Sequence, residues 1–338
     1  MLTIGYVGNG KSANRYHLPF VLLRDNIKVK TIFSPDVNTT TWEKKEHIYY
    51  TDKVEELMED SEIQVIVVCT TQHYHYQYAK MALDHGKHVM VEKPFMMTLQ
   101  ETKDIYAYAK EKGLVVQCFQ NRRYDSDFLT VQKVIESGKL GELLELEMHF
   151  DYYRPEIPES IEEFKFYDSY LYGHGCHTLD QVISYFGEPD SIHYDVRQLL
   201  GPGRMNDYFD LDLYYANLKV SVKSSYFRIK ERPSFIVYGK KGMFVKQTKD
   251  RQEEHLKMFY MPGQVGFGED TLDHYGTLTY QDADGVIHEE KVVSEVGDYG
   301  RVYDDLYNFL VLNKPQVIKE EETLLQMEIL ETGAKMCK

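Results

Sequence analysis

The sequence lacks several features that would place it in a specialised class. Its four cysteines lie far apart and form no CxxC pair, which argues against a cysteine zinc site or a disulfide framework and favours a reducing compartment. No apolar run approaches the roughly 20 residues that span a bilayer. The start, "MLTIGYVG", also lacks the length and the basic residues of a signal peptide. We therefore expect a cytoplasmic protein that has no membrane partner.

Positive charge is scarce as well. Lysine and arginine together number 39 against 54 aspartates and glutamates, so the formal net charge is −15, and the basic residues are scattered. This composition disfavours nucleic acid and anionic membrane surfaces as partners. A single tryptophan contrasts with 28 tyrosines, a residue that suits wet clefts and interfaces. With 338 residues, two domains are the default expectation.

The first 120 residues alternate β-rich runs with helical ones. The helical runs at 75–86 and 99–113 each close on a glycine, and Pro19 predicts a kink or a late start in the first helix. This alternation predicts an α/β fold with a doubly wound parallel sheet. The strands are predicted at 2–7, 28–33, 63–69, 87–92 and 114–119, and two helices at 75–86 and 99–113.

After residue 125 the rhythm changes. A helix within 125–142 ends at Gly138, and alternating runs then predict a large, mostly antiparallel open sheet in a C-terminal α+β domain. Three helical segments are available to cover one face of that sheet. The runs lie at 143–153, 208–227, 234–246 and 275–293, and the helices at 177–187, 302–312 and 321–336. We predict domains at 1–120 and 121–338.

The first strand leads directly into "GNGKSAN" (8–14), which fits the pattern G-x-G-x-x-A. In a dinucleotide-binding loop the first glycine allows a tight turn, the second admits the pyrophosphate, and the small third residue lets helix and strand pack closely. The position after a β-run and before a helix favours this interpretation over a purely structural turn. It predicts an N-terminal NAD(P)-binding Rossmann domain. The predicted cofactor contacts of this loop are Gly8, Asn9, Gly10, Lys11 and Ala13.

The end of the second predicted strand bears on the choice of cofactor. An acidic residue there would hold the ribose 2′-hydroxyl of NAD, but the sequence has Ser34, with Asp36 two residues later. Serine does not repel a 2′-phosphate, so we expect NAD or NADP with a slight preference for NADP. Lys11 or Arg15 can supply positive charge, and the alternative is that both are solvated helix residues.

Polar residues also follow the next two strands of the predicted sheet. Thr70 and Thr71 come after the strand at 63–69, and with His75 they are predicted to line the crevice where ligands bind. A metal pair formed by His73 and His75 is disfavoured, because no carboxylate or cysteine accompanies it, and we predict no metal.

Lys93 stands between a buried strand and a proline, in "VMVEKPFMMTL" (89–99). Pro94 disfavours helical backbone at Lys93, and alternation points Glu92 to the opposite side of the strand. A lysine held beside a nicotinamide pocket can exchange a proton with a reacting hydroxyl or hold its oxygen. The alternative is an ordinary surface lysine. We predict that Glu92 and Lys93 contact the cofactor and that Lys93 is catalytic.

A second candidate lies in "YLYGHGCHTLDQ" (170–181). His177 and Asp180 are three residues apart, so they share one face of a helix. A carboxylate in that position can fix the imidazole tautomer and stabilise its charged form, as a general base requires. The alternative is a capping or core histidine.

These motifs together resemble the Gfo/Idh/MocA oxidoreductase family across essentially the whole chain. The resemblance implies a Rossmann domain and a C-terminal domain whose open sheet forms a homodimer or homotetramer interface. It also implies hydride transfer between NAD(P) and a hydroxyl carbon of a sugar, cyclitol or related polyol. The motifs are the glycine loop, "ALDHGKHVMVEKP" (82–94), "NRRYD" (121–125), "ESGKLGE" (136–142) and "GCHTLDQ" (175–181).

By motif position, Lys93 and His177 match the active-site lysine and histidine of that family, and Asp180 matches its conserved aspartate. The resemblance implies that His177, oriented by Asp180, takes the hydroxyl proton while Lys93 holds the oxygen. In many members the bond between the lysine and the following proline is cis. Gly173 is a departure, because many members have an aspartate there.

Two alternative functions fit the same motifs. One is a glycosidase that uses a bound nicotinamide transiently, and the other is a non-enzymatic regulator that senses the nucleotide. Three residues that follow the first strand of the second domain are predicted as substrate contacts, although sheet packing explains the tyrosines equally well. They are Tyr152, Tyr153 and Arg154.

Overall fold

The computed structural model describes residues 1–156, 165–201 and 205–337. The chain divides into two compact units. The first unit contains Met1–Asn121, Leu256–Val265 and Tyr299–Met327. The second contains Arg122–His255, Gly266–Asp298 and Glu328–Lys338.

The first unit is built on a six-stranded, fully parallel sheet in the order β3-β2-β1-β4-β5-β6. This is the strand order of the dinucleotide-binding Rossmann fold, and it confirms the predicted doubly wound sheet. The predicted strands are all present, but the short edge strand β3 was not predicted. The strands are β1 (Leu2–Val7), β2 (Ile27–Phe33), β3 (Tyr49–Thr51), β4 (Val65–Val68), β5 (His88–Val91) and β6 (Val116–Cys118).

The central strands are buried on both faces, as their continuously apolar sequences require. Every residue of β4 is fully buried, as are Ile4 in β1 and Val89, Met90 and Val91 in β5. Such a sheet brings the ends of β1, β4 and β5 to one edge, where the glycine loop and Lys93 follow.

Helices alternate with these strands and then continue through the second unit. The first one is irregular, because a π-helical segment, Ala13–His17, precedes the turn that contains Pro19. This irregularity agrees with the predicted kink, since proline cannot donate a hydrogen bond to the preceding turn. The α-helices are α1 (Leu18–Val21), α2 (Val54–Met58), α3 (His75–Asp84), α4 (Leu99–Glu111), α5 (Ser126–Glu136), α6 (Cys176–Phe186), α7 (Gln252–Lys257), α8 (Arg301–Leu310) and α9 (Glu320–Met336).

The second unit contains an eight-stranded sheet in the order β14-β13-β12-β11-β7-β10-β9-β8. All its pairs are antiparallel except β7 with β10, which confirms the predicted, mostly antiparallel sheet. The sequence analysis missed β8. The strands are β7 (Leu143–His149), β8 (Ser191–Arg197), β9 (Tyr208–Tyr215), β10 (Leu218–Ser225), β11 (Phe235–Gly239), β12 (Gly242–Lys246), β13 (Gly276–Gln281) and β14 (Ile287–Val292).

Helices α5 and α6 pack on one face of this second sheet. Phe128 of α5 stacks on Phe235 of β11, with ring centroids 6.2 Å apart. The predicted helix 302–312 was expected on the same sheet, and this prediction is wrong. Tyr303 of α8 lies in the first unit, where its hydroxyl is 2.6 Å from that of Tyr6 in β1. An amphipathic pattern shows that one face is buried but not which sheet buries it.

The predicted domain division at residues 120–121 stays a prediction, and the two compact units follow it only in part. It agrees with the first crossing between the units, at Asn121 and Arg122, but the chain returns to the first unit at Leu256–Val265 and at Tyr299–Met327. The reason is the packing of these later segments on the core of the first unit, with Tyr303 fully buried there. Among the described residues, no helix combines the length and the apolar character that a membrane span requires.

Candidate functional site

The glycine loop after β1 has the two properties that its motif predicts. Gly8 has φ = +109°, and a Cβ added there would lie 2.5 Å from the backbone oxygen of Cys69. Its own N–H donates to the carbonyl of Phe33 at the end of β2, at 2.8 Å. Among the described residues, a Cβ added at Gly10 would meet no atom within 4 Å. The loop therefore packs tightly at its first glycine and is open at its second, as a backbone that receives a pyrophosphate must be.

A residue that the sequence analysis missed braces this loop. The side-chain nitrogen of Asn14 lies 3.1 Å from the carbonyl oxygen of Asn9, 3.0 Å from its side-chain oxygen and 3.0 Å from the carbonyl oxygen of Gly10. Ala13 is fully buried beneath the loop, and Lys11 is exposed at its rim. Asn9 is itself 4% exposed, so its side chain supports the loop, and its predicted contact with the cofactor stays a prediction.

Ser34 occupies the predicted position directly after β2. Its N–H donates to the carbonyl of Thr51 at 3.0 Å, and its hydroxyl donates to the carboxylate of Asp36. Ser34 is buried, whereas Asp36 is exposed. The hydroxyl and the carboxylate therefore form one polar pair at the position where an acidic side chain alone would select NAD.

Lys93 follows β5 and is joined to Pro94 by a cis peptide bond, as the resemblance allowed. The N–H of Lys93 donates to Oε2 of Glu92 at 2.9 Å. The segment that follows is also held, because Gln72 donates to the carbonyl of Met96 at 2.7 Å. The backbone that carries Lys93 is therefore fixed on both sides of the lysine.

His75 helps to hold the same segment, and its predicted contact with the cofactor stays a prediction. Its Nδ1 lies 3.1 Å from the carbonyl oxygens of both Pro94 and Phe95, and its Nε2 lies 3.1 Å from that of Thr70. The side chain is 1% exposed, and burial lowers the pKa of the imidazole. His75 thus connects the chain after β4 with the chain after β5.

The two threonines after β4 remain at the surface of this edge. Thr70 is half-buried and its hydroxyl donates to the carbonyl of Thr71 at 3.2 Å, while Thr71 itself is exposed. Both precede a short 3₁₀ turn, Gln72–Tyr74. Their predicted role as cofactor contacts stays a prediction.

Glu92 is a buried carboxylate that connects Lys93 with the helix after the glycine loop. It accepts hydrogen bonds from the hydroxyl of Ser12 and from Nε2 of His17, the latter at 3.0 Å. Burial opposes its charge, but the hydrogen bond and the charge of His17, followed by the charge of Lys93, lower the pKa of the carboxyl to about 2. Glu92 therefore carries a negative charge behind Lys93 at neutral pH.

The buried chain continues from His17 into the core of the first unit. Nδ1 of His17 lies 2.6 Å from the hydroxyl of Tyr303, which lies 2.6 Å from the hydroxyl of Tyr6. The ring of Phe119 stacks on His17 with centroids 3.8 Å apart. Burial raises the pKa of both tyrosines well above its ordinary value. This series of hydrogen-bonded side chains was not predicted from the sequence, where the histidine in "RYHLP" was its only local signal.

The second unit places His177 and Asp180 on α6, as predicted, and both side chains are buried. The structure adds a partner for Asp180 that the sequence analysis did not consider. Arg123 donates to both carboxylate oxygens, from Nε at 2.8 Å and from Nη2 at 2.7 Å. The prediction that Asp180 orients His177 stays a prediction.

Aromatic and cationic side chains cluster beyond β7 in the same unit. The guanidinium of Arg154 lies 4.6 Å and the amine of Lys249 4.9 Å from the ring centroid of Tyr152. Tyr152 also contacts the ring of His174, whose Nε2 lies 3.1 Å from the hydroxyl of Tyr226. Burial raises the pKa of Tyr152 to about 12. The cluster combines flat apolar faces with positive charge, which suits a polyhydroxylated or partly anionic ligand.

The strand order and the glycine loop of the first unit define a dinucleotide-binding protein of the Rossmann class. Residues 2–120 match the NAD-binding Rossmann-fold domain of the oxidoreductase family Gfo/Idh/MocA, and residues 132–338 match the C-terminal alpha/beta domain of the same family. The chain belongs to this oxidoreductase family, which supports a nicotinamide cofactor.

Individual relatives agree with this assignment. The uncharacterized oxidoreductase YhhX of Escherichia coli strain K12 is 45% identical over 98% of this chain and 96% of its own. The crystal structure of the probable oxidoreductase yhhX has a TM-score of 0.92, with 99% of this chain and 97% of that chain covered at 45% identity. The scyllo-inositol 2-dehydrogenase (NADP(+)) IolW of Bacillus subtilis strain 168 is 30% identical over 82% of this chain and 78% of its own.

Proposed function

We propose that this oxidoreductase transfers hydride reversibly between NAD or NADP and a hydroxyl-bearing carbon of a sugar, cyclitol or related polyol. The observation that carries the proposal is the attachment of Lys93 to the glycine loop. Glu92 accepts from the backbone N–H of Lys93 and from the hydroxyl of Ser12, which lies two residues beyond Gly10. A lysine held in this way keeps a fixed position relative to whatever the loop binds.

The relative IolW supports the substrate class, because its name specifies the oxidation of a cyclitol with NADP. The two alternatives, a nicotinamide-dependent glycosidase and a nucleotide-sensing regulator, receive no support from the named relatives. Assembly into a homodimer or homotetramer through the sheet of the second unit also remains a proposal, as do substrate contacts from Tyr152, Tyr153 and Arg154.

The residues present fit a nicotinamide dinucleotide, since the backbone at Gly10 is open and the small Ala13 lies beneath the loop. The loop 8–13 would hold the pyrophosphate, and Ser34 would face the adenosine ribose. When bound, the nicotinamide accepts or supplies the hydride. The Lys93 ammonium donates to the substrate oxygen and stabilises the negative charge that develops as the hydroxyl loses its proton. We retain His177 as the proposed base that takes this proton.

The test combines cofactor binding with turnover. Binding of NADH and NADPH is measured by fluorescence, and sugars and polyols are screened by the absorbance of the reduced nicotinamide. We expect Lys93→Met to bind cofactor as the natural protein does and to lose at least about 100-fold in kcat, the usual contribution of a hydrogen-bond donor to a developing oxyanion. Lys103→Met, an exposed lysine on α4, is the matched control. Unchanged turnover in Lys93→Met would show that this assignment is wrong.

A separate measurement tests His177. We expect His177→Asn to lower kcat and to remove the ionisation of lower pKa from the pH profile of kcat/KM, because asparagine cannot accept a proton in that range. A reduced rate with an unchanged pH profile would indicate that His177 has only a structural role.

A further inference from the structure

Arg15 packs against two neighbouring aromatic rings in the first unit. Its guanidinium carbon lies 4.7 Å from the ring centroid of Phe259 and 6.0 Å from that of Trp42. The two rings are themselves 6.4 Å apart. Trp42 belongs to the segment between β2 and β3, and Phe259 belongs to Leu256–Val265, which returns to this unit late in the chain. Arg15 is therefore not the freely solvated helix residue that the sequence left open as an alternative.

The guanidinium has stacking partners but no acidic one. Across residues 1–156, 165–201 and 205–337, no carboxylate lies within ion-pair distance of Arg15, and its buried Nε has no hydrogen-bond partner. An arginine remains charged at every physiological pH, and a partly buried polar group without a partner is unfavourable. Stacking on two rings leaves the edge of the guanidinium, which carries its N–H donors, for a planar or tetrahedral anion.

The backbone of Phe259 suggests that this arrangement has a function. Phe259 has φ = +59°, a conformation that is unfavourable for a bulky residue, and yet its side chain is 56% exposed. Burial of the ring does not account for that backbone strain, whereas contact with the guanidinium of Arg15 places the ring where it fixes the cation. Strained residues of this kind concentrate at ligand sites.

The position of Arg15 relative to β2 identifies the anion. Arg15 lies five residues beyond Gly10, and its contact with Trp42 places it beside the segment that connects β2 with β3. The end of β2 carries Ser34, and the N–H of Gly8 donates to Phe33 next to it. In a dinucleotide bound to a Rossmann fold, this is the side of the adenosine ribose and its 2′ substituent.

We propose that Arg15, packed against Trp42 and Phe259, is the subsite for the 2′-phosphate of NADP and makes the protein selective for NADP over NAD. This inference rests on the proposed function, because it assumes a nicotinamide dinucleotide in the glycine loop. The exposed carboxylate of Asp36, which accepts from the hydroxyl of Ser34, opposes the binding of a phosphate there. A bidentate contact of Arg15 with the phosphate outweighs the repulsion from this solvated carboxylate.

The experiment measures Kd for NADPH and NADH by fluorescence in the natural protein and in Arg15→Met. We expect the natural protein to bind NADPH more tightly, and Arg15→Met to bind it roughly 10- to 100-fold more weakly with little change for NADH. Arg15→Lys keeps the charge but loses the planar fork, so its affinity for NADPH should be intermediate. Lys103→Met is the matched control for the loss of one positive charge.

The other outcomes separate this inference from the proposed function. An equal loss of affinity for both cofactors in a folded Arg15→Met would overturn it, since Arg15 would then serve a part common to both, such as the adenine. The inference would also be overturned if the natural protein bound 2′,5′-ADP no more tightly than 5′-AMP. This comparison requires no variant. If the natural protein bound neither NADH nor NADPH, the proposed function itself would fail.

Discussion

The substitution Glu92→Gln tests the buried anion behind Lys93. The pKa of the carboxyl falls from 4.5 to about 2 in the fold, a difference of roughly 2.5 units. At 1.36 kcal/mol per unit, the fold stabilises the ionised form over the protonated one by about 3 kcal/mol. A glutamine carries no negative charge that interacts with His17. Its amide N–H would also face the hydroxyl of Ser12 or the backbone N–H of Lys93, which are themselves donors. We therefore expect the free energy of unfolding to fall by about 2–3 kcal/mol at pH 7.

The assay is urea-induced unfolding at pH 7, followed by far-UV circular dichroism. Glu55→Gln, an exposed glutamate on α2, is the matched control and should change the free energy by less than about 0.5 kcal/mol. A double-mutant cycle with His17→Gln should give a coupling of at least about 1 kcal/mol. If Glu92→Gln were as mild as the control, Glu92 would not be the charged centre of the buried chain, and the reasoning would be refuted.

The sign of the pH dependence follows from the same value. Because the pKa of Glu92 is depressed in the fold, its contribution is fully present above the unfolded value near 4.5 and is lost as the pH falls toward 2. The natural protein should therefore lose stability more steeply than Glu92→Gln in that acid range, as measured by urea midpoints at pH 5 and pH 3.5. Parallel curves for the two proteins would contradict the assigned charge.

Three further predictions concern other parts of the two units. Gly8→Ala should destabilise the first unit by at least about 2 kcal/mol, because the added Cβ would meet a backbone oxygen at 2.5 Å. Gly10→Ala should leave the melting temperature unchanged and should weaken cofactor binding. Arg123→Met should lower the free energy of unfolding by about 3–5 kcal/mol, since it removes two charged hydrogen bonds from buried Asp180. A loss below about 1 kcal/mol would show that Arg123 does not stabilise the buried carboxylate. Burial and the charge of Asp250 raise the pKa of Asp127 to about 7. The stability that this group contributes is therefore lost as the pH rises from about 4 to 7. The urea midpoint of Asp127→Asn should accordingly change less between pH 5 and pH 8 than that of the natural protein.

The sequence predicts best what depends on neighbours in the chain. The glycine loop requires a turn at Gly8 and an open backbone at Gly10, and both requirements are visible in a pattern six residues long. The place of Lys93 follows from a buried strand and the proline after it. The strands of the parallel sheet follow similarly from their apolar runs, except for β3, which has only three residues at the sheet edge.

What the sequence does not predict depends on residues far apart in the chain. His17 and Tyr303 are 286 positions apart, and no local pattern shows that they share a hydrogen bond. Arg123 and Asp180 are separated by 57 positions, and the predicted pairing of Asp180 considered only the residue one helical turn before it. The packing of Arg15 likewise depends on Phe259, which lies in Leu256–Val265, a segment whose sequence does not show to which unit it belongs.

The late return of the chain has a consequence for synthesis. The hydroxyl of Tyr303 lies between His17 and Tyr6, so the polar core of the first unit lacks its central group until residue 303 has left the ribosome. A nascent chain that ended at Asn121 would contain every strand of the parallel sheet and still hold a histidine and a tyrosine that face an unfilled space. Domains usually complete their folding in the order of translation, N-terminal first. In this protein the dinucleotide-binding unit is completed only after most of the second unit has been made.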